Sequence, residues 1–223
     1  MGGASLANKH SGRQFLIGIL LLLFIVGGWF YPPVGYFLVV CMLGAMGIGI
    51  FKGRSWCDWL CPRGSFWDRY LSPVSRKVKV PDFFRSIYFR LLWLGILTTV
   101  LVVKLTPVWG DFYAMGRPFV MILTVTTVVG LVLGIVYHHR IWCMFCPMGT
   151  MANWLGKNRV PLYVSDSCIG CGSCAEVCRM QINPGLYRGL GVVKNGDCLK
   201  CSYCVEACPV EALRFAQKNK NTA

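Results

Sequence analysis

Four apolar stretches organise the first two thirds of the chain: Phe15 to Phe30, Val34 to Phe51, Ile87 to Val103 and Phe119 to Tyr137. Each approaches the roughly 17–25 residues that a helix needs to cross the hydrocarbon core of a bilayer. Pro32-Pro33 interrupts the first pair, which predicts a helical hairpin with a tight break. The first stretch follows Lys9 and Arg13 as a signal peptide would. Bulky Trp29, Phe30 and Tyr31 stand where small residues would mark a cleavage site, so it is read as a retained span. After about Pro161 the pattern turns polar and Gly-rich. These changes divide the chain into a tail (1–14), a four-helix transmembrane domain (15–160), a polar domain (161–216) and a second tail (217–223).

Composition agrees with this division. Of 223 residues 55% are hydrophobic and 14% charged, against roughly 25% charged in soluble domains. Mean hydropathy is +0.53. A disordered chain is excluded, and an ordinary cytosolic enzyme is argued against. The net charge of +14, from 23 Lys+Arg and 9 Asp+Glu, suits either nucleic acid or the anionic inner face of a membrane. Its distribution favours the membrane. Lys52, Arg54, Arg63, Arg69, Arg76, Lys77, Lys79 and Arg85 lie between the second and third stretches, and Arg140, Lys157 and Arg159 follow the fourth. The opposite side has only Lys104, Asp111 and Arg117. The positive-inside rule therefore predicts a multi-pass protein of the inner membrane, with both termini and the polar domain cytoplasmic. Trp29, Tyr31, Trp109 and Tyr113 fit an outer aromatic belt, and Trp56, Trp59, Trp67 and Trp142 an inner one. The polar domain is nearly neutral, so membrane lipid is expected as a partner and nucleic acid is not.

The 13 cysteines cannot all pair in disulfides. Cys168-Ile-Gly-Cys171-Gly-Ser-Cys174-Ala-Glu-Val-Cys178 is followed by Cys198-Leu-Lys-Cys201-Ser-Tyr-Cys204-Val-Glu-Ala-Cys208-Pro209. This is the bacterial iron–sulfur run written twice, an arrangement in which the fourth cysteine of each run serves the other cluster. One [4Fe–4S] cluster is expected on Cys168, Cys171, Cys174 and Cys208, the second on Cys198, Cys201, Cys204 and Cys178. Paired Cys-x-x-Cys units also bind zinc, but two complete four-cysteine runs favour iron–sulfur. From Val164 to Ala216 the sequence resembles the two-cluster bacterial ferredoxin fold. Arg179 stands where that family has proline after the first run.

The membrane half contains its own repeat. Arg54-Ser-Trp-Cys57-Asp-Trp-Leu-Cys61-Pro62-Arg-Gly64-Ser follows the second stretch, and Arg140-Ile-Trp-Cys143-Met-Phe-Cys146-Pro147-Met-Gly149-Thr follows the fourth. The membrane half thus reads as two hairpins, each with a cysteine turn (54–65 and 140–150), related by a two-fold axis along the membrane normal. That symmetry brings Cys57, Cys61, Cys143 and Cys146 together. Four clustered thiols are candidates for a third metal or iron–sulfur centre, a redox dithiol or a structural role. Arg54 and Arg140 are candidates for offsetting their charge. Cys41, mid-span, reads as a small buried hydrophobe. His138 and His139 read as interfacial, with a proton-handling role near a quinone as the alternative.

The whole chain resembles the NapH/MauN/NosR-like membrane ferredoxins, with four spans, two Cys-Pro turns and a C-terminal two-cluster domain. The expected fold class is an α-helical membrane protein, four transmembrane helices as two repeated hairpins, with a C-terminal α+β two-cluster ferredoxin-like domain. The first turn matches the family's three-residue spacing, and the second has two residues between Cys143 and Cys146. About 14 residues precede the first span, so no flavin-bearing region of the NosR kind is expected. The resemblance implies a subunit of a quinol dehydrogenase that relays electrons between the quinone pool and other redox subunits. The alternative is an accessory ferredoxin that supplies electrons for maturation of a metalloenzyme.

Overall fold

The computed structural model describes residues 3–156 and 159–215. The tail 217–223 and Lys157 lie outside the described residues, as do the side chains of Lys9 and Arg13 used in the charge argument. Helix α1 (Gly3–Phe30) and α2 (Phe37–Lys52) are joined by a 3-10 turn, Pro32–Tyr36. Its two prolines occupy the first positions, where a fixed φ favours helix entry. Phe24 stacks on Phe37 across the hairpin, with centroids 3.6 Å apart. At the far end Gly53 takes φ 60° and closes α2 by donating to the Gly49 carbonyl, a left-handed conformation suited to glycine.

Two short helices follow, α3 (Ser55–Trp59) and α4 (Pro62–Phe66), and the chain continues into a π turn at Trp67–Leu71. Next come α5 (Ile87–Leu105), α6 (Gly116–Val136), α7 (Ile141–Phe145) and α8 (Pro147–Leu155). The expected cysteine turns are thus helix–break–helix units. Each proline starts a new helix as well as ending the old one. Three described helical segments, Pro32–Lys52, Ile87–Val108 and Gly116–Val136, are long and apolar enough to cross a membrane. The expected first span lies in α1, whose apolar part, Gln14–Phe30, is shorter. Leu16, Leu43 and Leu92 point outward, more than 60% exposed, an apolar surface that lipid would cover.

The two repeats exchange their ends. Helix α8 packs on α2, where the small Gly49 lets Ala152 approach. On the other side the π turn packs on α6, with the Trp67 ring over Gly130 and Leu71 over Gly134. This close packing corrects the inner aromatic belt. Trp67 is fully buried and Trp142 nearly so. Trp142 meets Trp93 and Phe145 edge to face, with centroids 5.9 and 5.0 Å away. Both indoles are core. Trp29 and Trp109 remain exposed.

In the polar domain β1 (Leu162–Val164) pairs antiparallel with β2 (Leu213–Phe215), joining its first and last segments. Between them lie the single-turn helices α9 (Ser173–Glu176) and α10 (Tyr203–Glu206). Each cysteine run bends in the same way. Gly170 and Gly172 have φ 72° and 83°, and the matching Lys200 and Ser202 have 59° and 69°. Gln181 and Glu211, each three residues past the fourth cysteine of a run, repeat the pattern at 52° and 49°. Polar bonds fix this domain to the membrane half. Asp197 accepts from Arg54 at 2.7 Å and from Arg90 at 2.6 Å. Gln181 bonds Val80 N and Val78 O, and Arg85 donates to the Met180 carbonyl.

Candidate metal centres

The fold sorts the eight C-terminal cysteines into two sets. Cys168, Cys171, Cys174 and Cys208 line one small cavity together with Gly170, Gly172 and Gly185. Cys178, Cys198, Cys201 and Cys204 line another. In both sets the fourth thiol crosses from the other run. Both crossing sulfurs accept a backbone N–H at 3.3 Å, Cys178 from Ile182 and Cys208 from Ala212. Such bonds to cluster sulfurs help tune an iron–sulfur potential. Among the described residues, no three His, Cys, Asp or Glu side chains converge as a single bound ion requires. Each cysteine set lines its own small cavity. Thiolate donors are what iron–sulfur clusters take, so the residues fit the group. Burial pushes the Cys201 thiol up to about 12 and raises Cys204 as well. Loading a cluster must therefore displace protons.

The two sets have different surroundings. Around the first, Cys171 and Ile169 are exposed. The second faces the membrane half. Arg179, next to Cys178, donates to Asp58 at 3.1 Å, to Asp68, and to the Tyr203 hydroxyl at 2.6 Å. Asp197, next to Cys198, holds Arg54 and Arg90. Sequence reasoning had treated Arg179 only as a departure from proline and had missed Asp68, Asp197 and Arg90. One signal was available: with only 9 acidic residues in the chain, each aspartate near a cysteine run is worth pairing with an arginine.

The Cys-Pro units meet as expected. Cys57, Cys61, Cys143 and Cys146 all line one cavity of about 200 Å³. Their unequal spacing is absorbed in the backbone. Cys61 N donates to Trp56 O across five residues, whereas Cys146 N donates to Trp142 O across four. Both second cysteines then stand at the N-terminal cap of a helix begun by proline. Each carbonyl accepts from the residue four further on, Ser65 or Thr150, at 2.9 Å. Cys41, read from the sequence as a small buried hydrophobe, is half-buried and lines the same cavity. Burial pushes Cys57 and Cys61 up to about 12 and raises Cys143.

Arginines surround this site. Arg54 donates to the carbonyl of Cys143. Arg140 donates to that of Cys57 at 3.0 Å and has Nη1 3.6 Å from Cys143 Sγ. Arg140 also pairs with Asp68. Burial opposes ionisation of Asp68, but Arg140 and Arg179 outweigh it and hold the carboxyl below its usual range. Asp58, inside the first unit, lies 3.6 Å from Arg140. His138 and His139 are buried, not interfacial. Desolvation, with Arg140 beside His138 and His138 beside His139, lowers them to about 4 and about 3. They are neutral at pH 7, and His138 Nδ1 accepts from Arg140 N at 3.2 Å.

These sites describe a helical, cysteine-rich protein of the iron–sulfur ferredoxin class, with the character of a membrane protein. A family profile described as a 4Fe-4S binding domain matches residues 34–81 and 119–163, one segment for each Cys-Pro unit. A second, described as a 4Fe-4S dicluster domain, matches residues 160–209. An uncharacterized protein of Methanocaldococcus jannaschii is 23% identical over 100% of this chain and 91% of its own length. The methylamine utilization ferredoxin-type protein MauN of Methylorubrum extorquens is 27% identical over 82% of this chain and 69% of its own length. The ferredoxin-type protein NapH of Haemophilus influenzae is 24% identical over 83% of this chain and 68% of its own length. No solved structure matches. The chain belongs to the NapH/MauN-like family of ferredoxin-type electron transport proteins.

Proposed function

We propose that this protein is a four-span, inner-membrane electron relay between the quinone pool and partner redox subunits, with both termini and the ferredoxin domain on the cytoplasmic side. Cys168, Cys171, Cys174 and Cys208 would hold one [4Fe–4S] cluster, and Cys198, Cys201, Cys204 and Cys178 a second. Cys57, Cys61, Cys143 and Cys146 would hold a third centre between the repeats. A bound cubane exchanges one electron at a time, so a pair matches the two electrons of a quinol. The chain supplies the framework. Crossed ligands lock the two runs together, and Asp197 and Arg179 hold the second cysteine set against the membrane half. The exposed loop at Ile169 and Cys171 leaves the first set open to a soluble redox partner.

The observation carrying this reading is the crossed cavity lining, with Cys208 beside Cys168, Cys171 and Cys174. Its test is Cys208→Ser in full-length protein purified without oxygen. The cluster built on Cys168, Cys171 and Cys174 should be damaged while the other keeps its EPR signal. Loss of the Cys198-containing cluster instead would refute the assignment. A quinol analogue should reduce the wild-type clusters. Reduction by dithionite alone would favour the accessory reading, in which the electrons serve metalloenzyme maturation.

A further inference from the structure

The cavity shared by the four Cys-Pro thiols extends past them, away from the ferredoxin domain, and there its walls are apolar. Phe24, Leu38 and Met42 line one side, and Leu97 and Leu101 of α5 line the other. Its volume of about 200 Å³ exceeds the roughly 150 Å³ of an apolar cavity that takes up benzene. That volume is shared between the space among the four thiols and the apolar part beyond them. Helix α5 packs on α6 and α8 but not closely on α2, and both α2 and α5 line the cavity. None of the apolar stretch of α5 is buried.

Two arginines line this space, Arg54, which is paired with Asp197, and Arg63, which is not. Arg63 Nη2 donates to the Leu123 carbonyl at 3.2 Å and to Thr126 Oγ1 at 2.9 Å. Its guanidinium lies 5.2 Å from the Trp142 ring centroid. Its Nε is buried with no hydrogen-bond partner. Arg54, Arg90, Arg140 and Arg179 all have aspartate partners, but among the described residues no carboxylate pairs with Arg63. Buried polar groups ordinarily find partners. A guanidinium in an apolar chamber therefore calls for a ligand with an apolar body and an electron-rich oxygen.

We propose that this chamber binds the ring of a lipid-soluble quinone or quinol, entering between α2 and α5, with one ring oxygen accepting a hydrogen bond from Arg63. The proposal rests on the quinone-relay reading above and adds its location. Arg63 is a positioning and binding residue there. Arg63 and the cysteine quartet line the same cavity, so a bound ring would stand near the thiols proposed to hold the third centre.

The test uses the full chain, purified without oxygen and held in lipid nanodiscs, with menadione titrated by calorimetry. Arg63→Gln and Leu97→Trp should each weaken binding at least tenfold. Arg63→Lys should recover most of it, and Leu92→Trp, on the lipid-facing side, should leave it unchanged. Iron content and the dithionite-reduced EPR spectrum should match wild type throughout. If Arg63→Gln loses iron, Leu97→Trp decides the matter alone. In assays driven by duroquinol, Arg63→Gln should raise the half-saturating concentration and leave dithionite reduction unaltered. Wild-type binding that survives both Arg63→Gln and Leu97→Trp within twofold would overturn the location and leave the relay reading standing. Wild-type protein that neither binds menadione nor accepts electrons from duroquinol would overturn both. Menadione failing to bind while laurate binds through Arg63 would mark a fatty-acid site and overturn the proposal.

Discussion

Arg140 Nη1 donates to the carbonyl oxygen of Cys57 at 3.0 Å, and Arg54 makes the equivalent bond to the carbonyl of Cys143. Each arginine stands three residues ahead of the first cysteine of its own repeat but serves the cysteine of the other. This explains why arginine and glycine recur together in the motif. The guanidinium from the opposite repeat passes over the glycine of Cys-Pro-x-Gly. A methyl group at Gly64 would lie 3.0 Å from Arg140 Nη1, and one at Gly149 would lie 2.5 Å from Arg54 Nη2.

Gly149→Ala should therefore destabilise the protein by about 1–3 kcal/mol, the usual cost of overpacking. Gly47→Ala, within α2 and with nothing in 4 Å, should be neutral or slightly stabilising, because alanine favours helix. Thermal unfolding in detergent separates them. A Gly149→Ala protein that melts with wild type would refute the account of the motif.

Arg179 is the second point where a substitution should speak clearly. Replacing it with proline restores the residue usual in two-cluster ferredoxins but removes the bonds to Asp58, Asp68 and Tyr203. Losing one partner of a buried ionic group typically costs about 3–5 kcal/mol. Arg140 still pairs with Asp68, which should keep the loss toward the lower end. Arg179→Pro should retain both clusters by EPR while limited proteolysis releases the ferredoxin domain from the membrane half faster than in wild type. Unchanged protease resistance would mean that the other contacts suffice to hold the domain.

The parts legible in the sequence were those written as local patterns. Apolar runs gave the long helices, and doubled cysteine runs gave the ferredoxin domain. The repeated Arg-x-Trp-Cys motif predicted that four thiols would share one place. What stayed hidden depends on contacts between distant segments. Asp197 meets Arg54 across 143 positions and Arg140 meets Asp68 across 72, and no periodicity encodes such pairings. Trp67 and Trp142 look like interfacial anchors in sequence and become core only because Gly130 lets one ring close on α6 and Trp93 and Phe145 enclose the other. The one-residue difference between the two cysteine units looked like an asymmetry, and a backbone hydrogen bond at Cys61 that spans five residues, where the one at Cys146 spans four, absorbs it.

His138 and His139 predict a pH dependence. Burial lowers them to about 4 and about 3, against about 6.5 when unfolded. The unfolded chain therefore binds protons that the folded chain refuses. The stability they confer is fully present above pH 6.5 and is lost as pH falls toward the folded values, by about 1.4 kcal/mol per pH unit for each histidine. Melting temperature should fall between pH 7 and pH 5.5, and His139→Gln should reduce that slope by roughly half. An equal slope in the variant would place the pH sensitivity elsewhere.

The last expectation concerns charge at the Cys-Pro cavity. Five buried or half-buried arginines, Arg54, Arg63, Arg90, Arg140 and Arg179, surround this region. Three aspartates, Asp58, Asp68 and Asp197, are arranged among them. Two positive charges are left over, and uncompensated buried charge is strongly unfavourable. Four neutral thiols do not relieve it. Four thiolates around a dicationic iron–sulfur core carry a net charge of about −2, which would. Full-length protein purified without oxygen should therefore contain about ten to twelve iron atoms, beyond the roughly eight of a two-cluster ferredoxin. The double variant Cys57→Ser, Cys143→Ser should fall to about eight while the two ferredoxin EPR signals persist. Wild-type protein with only about eight irons, and with Cys57, Cys61, Cys143 and Cys146 all open to alkylation in the native state, would return these cysteines to a dithiol or structural role.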